Sequence, residues 1–286
     1  MKKFFLFLLG LTAILFFIVS IIYIQTNSRL TKVIEGVGEI SVFPPGANDL
    51  VEGKRLYVTR GCPDCHGLQG QGVTFINDPL LGTFTGSNLT KGQGGLGKKS
   101  FQDFVLALRH GIGTNKQPLH FMPSTDFQAM TDEDVGKIYS YLLSLPPVEE
   151  TSAEIKIGPL ARVLFLTGNL PHLASALFID HSVQAASKQE KTLSLSFGKY
   201  LADTCTGCHG ANLKGGPIPG APPEWPEATN ITKQGIGAWS EDQFVSAIRT
   251  GITPDGREMR APMPWKNFAY MTDVELKSIR MYLMSL

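Results

Sequence analysis

Residues 4–24 are apolar and uncharged throughout, behind Lys2 and Lys3. At a helical rise of about 1.5 Å per residue this run spans roughly 30 Å, one hydrocarbon core. It is too long, and lacks the small-x-small site, for a cleaved signal peptide, so residues 1–30 are expected to be an uncleaved N-terminal membrane anchor. Further on, apolar residues recur at helical spacing. Val135, Ile138, Tyr139, Leu142 and Leu145 form one stripe, and Leu276, Ile279, Leu283 and Leu286 another. Each follows a capping pattern, Thr131-Asp-Glu-Asp and Thr272-Asp-Val-Glu. Middle helices are predicted after Ser100 and Ser240, and first helices over 49–60 and 196–203. No stretch keeps a convincing period of two, so the fold class expected is all-α. Residues 155–179 are apolar but interrupted by Lys156, Arg162, Asn169 and Pro171, too broken to cross a bilayer. They are expected to form a pad between or along neighbouring domains; the alternative is a surface on the membrane or on a partner. Residues 182–194 read as a polar tether.

The second half of the chain repeats the first. Asn88-Leu-Thr matches Asn230-Ile-Thr, and Phe104 to Arg109 matches Phe244 to Arg249. Met122-Pro matches Met263-Pro, and Met130-Thr-Asp matches Met271-Thr-Asp. Tyr57 and Tyr200 each stand five residues before a cysteine and are paired on that basis. The expected organisation is an anchor (1–30), a first domain (31–147), a connecting segment (148–195) and a second domain (196–286).

Net charge is +1 over 286 residues, with no basic stripe interleaved with aromatics, so nucleic acid is not an expected partner. The cysteines change the picture more. All four lie in Cys-Pro-Asp-Cys-His at 62–66 and Cys-Thr-Gly-Cys-His at 205–209. C-x-x-C-H is the attachment signature of a c-type haem: two thiols bond to the porphyrin and the histidine reaches the iron. A Cys₄ zinc site leaves both histidines unexplained, and a disulfide framework suits shorter, more Cys-dense chains. Two covalent haems are therefore expected, on Cys62, Cys65 and His66, and on Cys205, Cys208 and His209. Gly92-Gln-Gly-Gly-Leu-Gly97 matches G-x-G-x-x-G formally, but no strand precedes it and it is read as a loop.

A second axial ligand decides between an electron carrier and a reactive centre. His110 and His120 have no histidine in the other repeat, and His172 and His181 lie outside both. Met130 and Met271 precede capping threonines and read as core. Met122 and Met263, each held by a following proline, are the expected distal ligands, with Met259 and His120 as substitutes. His/Met ligation raises the reduction potential and leaves the iron no open position. Arg109 and Arg249 are candidates for the haem propionates, the bland alternative being cations at helix C-termini. The carbonyls of Pro79 and Pro222, each thirteen residues after a haem histidine, are candidate acceptors for its ring N–H.

On the C-x-x-C-H pairs, Asn230-Ile-Thr, Phe244 through Gly251 and Met263-Pro-Trp through Met271-Thr-Asp, the chain resembles the dihaem class I-type cytochromes c. It is similar to the haem modules of alcohol and gluconate dehydrogenase cytochrome c subunits. The resemblance implies an all-α module and electrons passed from a quinol or dehydrogenase donor to an oxidase or cytochrome acceptor. Those subunits usually carry three haem motifs; with two and an anchor, this chain is expected to be a membrane-tethered electron-transfer protein and not itself an enzyme. Its expected place is the bacterial inner membrane with the haem domains on the periplasmic face, in keeping with the two N-terminal lysines. The alternative is a dihaem peroxidase or sulfur-compound oxidoreductase in which one distal ligand is displaceable.

Overall fold

The structure is a computed structural model that describes residues 1–286 except Glu39, Ser41, Pro45, Glu150, Thr151, Pro222 and Pro223. It opens on α1 (Lys2–Leu30), whose apolar length is exposed along residues 4–19 and has the composition of a membrane span. The first repeat then runs through α2 (Leu50–Thr59), α3 (Pro63–His66), strands β1 (Thr74–Asp78) and β2 (Gly82–Thr85), α4 (Phe101–His110) and α5 (Asp132–Ser144). A connecting stretch carries β3 (Lys156–Ile157), α6 (Pro159–Leu166) and a 3₁₀ segment, Pro171–Leu177. The second repeat comprises α7 (Leu195–Ala202), α8 (Thr206–His209), α9 (Lys233–Ile236), α10 (Glu241–Thr250), α11 (Trp265–Phe268) and α12 (Asp273–Leu283).

Short polar side chains start the longer helices, those after Ser100, Thr131, Ser240 and Thr272 where the sequence predicts. Asp49, Thr131 and Ser194 accept from backbone N–H groups of the first turns of α2, α5 and α7. Ser100 with Asp103, Ser240 with Gln243 and Thr272 with Glu275 form reciprocal capping boxes on α4, α10 and α12. Gly111 and Gly251 end α4 and α10 in the left-handed conformation (φ 64° and 72°).

In each repeat the first and last helices cross closely. A Cβ on Gly53 would lie 2.2 Å from the Lys137 carbonyl oxygen, and one on Gly198 would lie 1.9 Å from that of Ser278. Lys137 and Ser278 hold the same place in the two last helices, so these glycines are counterparts. The sequence pairing of Tyr57 with Tyr200 is thereby corrected. On this register Gly53-Lys-Arg55-Leu56 corresponds to Gly198-Lys-Tyr200-Leu201, and Tyr200 takes the place of Arg55. Equal distance to a cysteine misled because the first repeat carries two more residues between this helix and its first cysteine.

Around each crossing lies an apolar cluster. The first includes Leu56, Tyr57, Phe104, Val105, Val135, Ile138 and Leu142; the second includes Phe197, Leu201, Phe244, Ile248, Leu276, Ile279 and Leu283. Met130 and Met271 are buried in them, as core methionines.

The all-α expectation is corrected to a mostly helical fold. β1, β2 and β3 form a small antiparallel sheet in that order. Asp78 turns the hairpin by accepting from the N–H groups of Leu80 and Leu81 (2.8 and 2.7 Å), and Gly82 follows at φ 110°. Strands this short, with a bulge between Thr74 and Ile76, leave no readable period of two.

The apolar pad lies along the first repeat. Ala161, Phe165, Leu170, Leu173 and Ala174 pack with Phe84 and with Leu30 at the end of α1. Arg162 stacks over Tyr23 (4.2 Å to the ring centroid) and donates to Asn27 (2.7 Å). The polar tether is fastened: the N–H groups of Asp132 and Glu133, at the start of α5, donate to Ala186 and Ser187. Lys191 bridges Glu52 (3.0 Å) and Asp134 (2.8 Å).

The repeats meet reciprocally. Arg55 donates twice to Glu275 (2.6 and 2.9 Å), while Tyr200, in the place of Arg55, donates to Asp134, in the place of Glu275 (2.7 Å). Asn267 donates to Asp64 in the first attachment turn (3.0 and 3.1 Å). Its counterpart Asp126 abuts Gly207, the counterpart of Asp64, in the second.

Candidate haem-attachment sites

Each C-x-x-C-H begins at the end of the repeat's first helix and curls into one short helical turn, α3 or α8. The residue after the histidine is glycine in both, at φ 76°, ψ 159° for Gly67 and φ 76°, ψ 160° for Gly210, a conformation that penalises any side chain. The loop then returns to the histidine: Gly72 N–H donates to the His66 carbonyl and Gly215 N–H to that of His209, both at 2.8 Å. Gly86 closes against the first turn so tightly that a Cβ there would sit 1.9 Å from the Cys65 carbonyl oxygen.

The repeated Asn-x-Thr motif sets the histidine ring. Asn88 accepts from the backbone N–H and hydroxyl of Thr90 (both 2.8 Å), and Asn230 from those of Thr232 (2.9 and 2.7 Å). This turn presents the carbonyl of the preceding residue. His66 Nδ1 lies 2.8 Å from Ser87 O, and His209 Nδ1 lies 2.7 Å from Thr229 O. A carbonyl oxygen only accepts, so each Nδ1 carries the proton and each Nε2 keeps the lone pair that a metal takes. Ser87 and Thr229 replace Pro79 as the expected acceptor; Pro222 falls outside the described residues. The residue before each Asn-x-Thr was the signal that would have found them. Burial holds both imidazoles below the ordinary histidine range, against the opposing carbonyl bonds, and so favours the neutral, ligating form.

The four cysteines carry no disulfide. Burial pushes Cys62, Cys65 and Cys205 up to about 12, and raises Cys208. Among the described residues no group of three or more His, Cys, Asp or Glu side chains could hold a metal ion, so the pentapeptides do not merge into a zinc site. What each offers is two thiols in one turn beside an imidazole whose Nε2 is uncommitted. That donor set fits covalent haem c.

The methionines favoured by the sequence lie on the same clusters as these turns. Cys62 and Met122 both pack against the first cluster; Cys205, Met259 and Met263 pack against the second. The histidines weighed beside them stand elsewhere. His110 Nδ1 is 3.1 Å from His181 Nδ1, and His120 bonds to the backbone of Leu30 at the base of α1.

Arg109 and Arg249, candidates for the propionates, also have protein partners. Arg109 is 3% exposed and pairs with Asp132 (2.8 Å). Arg249 donates to the carbonyls of Ala269 and Met271 (2.7 and 2.9 Å) and pairs with Asp273 (2.7 Å). Asp132 and Asp273 are the first residues of α5 and α12, so each arginine ties the end of the middle helix to the start of the last one.

Comparison with known proteins agrees with this geometry. The chain is 27% identical over 276 residues to a nicotinate dehydrogenase subunit of Pseudomonas putida, covering 86% of this chain and 22% of that protein. It is 27% identical over 265 residues to the fructose dehydrogenase cytochrome subunit of Gluconobacter japonicus, covering 82% and 51%. It is 28% identical over 273 residues to the alcohol dehydrogenase (quinone) cytochrome c subunit of Gluconacetobacter polyoxogenes, covering 85% and 57%. The chain thus spans between about a fifth and rather more than half of these relatives' lengths. The family model described as Cytochrome c matches residues 50–146 and again 197–286. With both attachment turns inside those matches and more than half its length covered, the chain belongs to the cytochrome c family, whose members carry covalently bound haem c.

Proposed function

We propose that the chain is a dihaem electron-transfer protein built as two tandem cytochrome c domains, 31–147 and 196–286. Cys62 and Cys65 would hold one haem, with His66 and Met122 as axial ligands. Cys205 and Cys208 would hold the other, with His209 and Met263. When bound, the haem supplies the one-electron couple. The chain fixes each imidazole through Ser87 or Thr229, brings a thioether from the loop before the last helix, and surrounds both with apolar residues that keep water away. Arg109 and Arg249 support each site by holding the last helix. A centre with both axial positions filled changes charge with little rearrangement, which suits outer-sphere transfer. The carrying observation is that thiol and thioether share a cluster in each repeat, Cys62 with Met122 and Cys205 with Met263.

The relatives named as cytochrome subunits of dehydrogenases support a dehydrogenase-side or quinol-side donor, with an oxidase or another cytochrome as acceptor. Helix α1 supports anchoring in the bacterial inner membrane with the haem domains on the periplasmic face. Haem counting and a spectroscopic redox titration of wild type, Met122→Ala and Met263→Ala test the reading. Two haems are expected, and each substitution should lower one potential and let carbon monoxide bind at one reduced iron. Fewer than two haems, rapid carbon monoxide binding by wild type, or two unchanged spectra would overturn it.

A further inference from the structure

The two residues by which the first repeat exceeds the second fall in the attachment turn. Counted from Tyr57 and Ala202, which correspond on the register of Gly53 and Gly198, residues 58–61 lead to Cys62 but only Asp203 and Thr204 lead to Cys205. The longer turn contains Arg60, followed by Gly61 at φ 74°. An arginine beside a solvent-facing turn would ordinarily extend into water. This one is 4% exposed. Its guanidinium carbon lies 4.9 Å from the centroid of the Tyr200 ring, and Nη1 donates to Thr204 Oγ1 at 2.8 Å. Nη2 is buried with no hydrogen-bond partner among the described residues.

Thr204 directly precedes Cys205, and Arg60 stands two residues before Cys62. One buried cation is therefore fastened to both attachment turns. Its charge lies close enough to act on the Cys62 and Cys205 sulfurs and on the neighbouring Asp203 carboxyl. A buried, incompletely bonded guanidinium is costly unless something nearby benefits from the charge. An arginine keeps its charge in any protein setting, and in a low-dielectric interface that charge is weakly screened. Each haem iron loses one positive charge on reduction, so a fixed cation beside it favours the reduced form.

We propose that Arg60 is a shared tuning residue: an inserted, buried cation at the junction of the two attachment turns that raises the reduction potentials of both haems together. This rests on the two-haem reading above. At the same junction each attachment turn meets the loop before the other repeat's last helix, Asp64 with Asn267 and Gly207 with Asp126.

The test is a potentiometric titration of the full-length holoprotein, followed spectroscopically, for wild type, Arg60→Gln and Arg60→Lys, with haem counting on each. In Arg60→Gln both couples should move towards the ferric form by about tenfold, about 59 mV for a one-electron couple. The shift should persist at high salt, because the charge is buried. Arg60→Lys keeps the charge and should hold both couples within about twofold of wild type. If Arg60→Gln does not fold, Arg60→Met carries the same expectation. A shift at one haem only, no shift at either, or a lysine variant displaced as far as the glutamine variant would overturn the proposal. A wild type with fewer than two haems would overturn the dihaem reading instead, and the two failures are told apart by the haem count.

Discussion

From Cys62 to Gly72 the backbone follows the same course as from Cys205 to Gly215, to within a degree at the glycine after each histidine. The surroundings of the two turns differ. In the first repeat the methionine loop is held from outside: Phe121 N–H donates to Leu173 O (3.3 Å), and Ser175 Oγ donates to Met122 O (2.6 Å). Phe121 also packs on Phe75 and Phe84 of the hairpin (centroids 5.5 and 4.7 Å away). Among the described residues the second repeat forms no β-strand, and residues 254–258 and 260–261 of its equivalent loop are exposed. Its own Trp265 fills the space against Gly251. Attachment geometry is made by short-range chemistry, glycine and an Asx turn, and so survives duplication unchanged. Bracing of the distal loop depends on distant segments, and there the copies diverge. The braced copy also contacts α1, where Phe84 and the connecting segment pack with Leu30.

What the copies share should fail in the same way in both. Gly53→Ala and Gly198→Ala each place a methyl group against a backbone carbonyl that cannot rotate away. Each should destabilise its repeat by about 1–3 kcal/mol or more, the range for overpacked sites. Chemical denaturation of the two variants, followed through the haem spectrum, measures this. If one is tolerated and the other is not, the helix crossings are not equivalent and the register linking Arg55 with Tyr200 is wrong.

That register shows where sequence was legible. The pentapeptides, the caps at Ser100, Thr131, Ser240 and Thr272, and the stripes on α5 and α12 depend on neighbours a few residues away, and all were readable. Tyr57 and Tyr200 were mispaired because distance to a cysteine is a one-dimensional measure, whereas the glycine at a helix crossing is fixed by another helix about eighty residues on. The hairpin at Thr74–Thr85 escaped because each strand is five residues or fewer and is completed by β3, far along the chain. The acceptors for His66 and His209 were sought at prolines, although the repeated Asn-x-Thr already marked the turn that presents them. The fastening of residues 186–191 to α5 left no trace in the sequence, since two of its bonds use only backbone carbonyls.

A smaller effect should separate the copies. Ser175→Ala removes the one side-chain bond from the connecting segment to the Met122 carbonyl, a change of about 1 kcal/mol. If outside bracing keeps Met122 in place, the reduced variant should bind carbon monoxide faster at the first haem, with the second unchanged. Equal acceleration at both, or at neither, would remove bracing as the difference between the repeats.

The smallest effect concerns the junction itself and follows from its charges. Arg55 beside Glu52 is the main influence holding that carboxyl down at about 2 from an ordinary 4.5, burial opposing it and Lys191 adding to it. A carboxyl depressed on folding contributes stability above its unfolded value, and loses that contribution as pH falls towards its folded one. The window is therefore from about 4.5 down to about 2, and stability should decline with acid across it. Glu52 links Arg55, which reaches Glu275 of the second repeat, to Lys191 of the tether, so protonation loosens the junction while leaving each repeat's own cluster intact. Because Glu52 is about one-fifth exposed, solvent screening keeps the contribution modest. Glu52→Gln should be less stable than wild type at neutral pH and should flatten the decline, the two proteins converging near pH 2. Denaturation midpoints measured across that range would show it; parallel curves that never converge would place the acid sensitivity in another carboxylate.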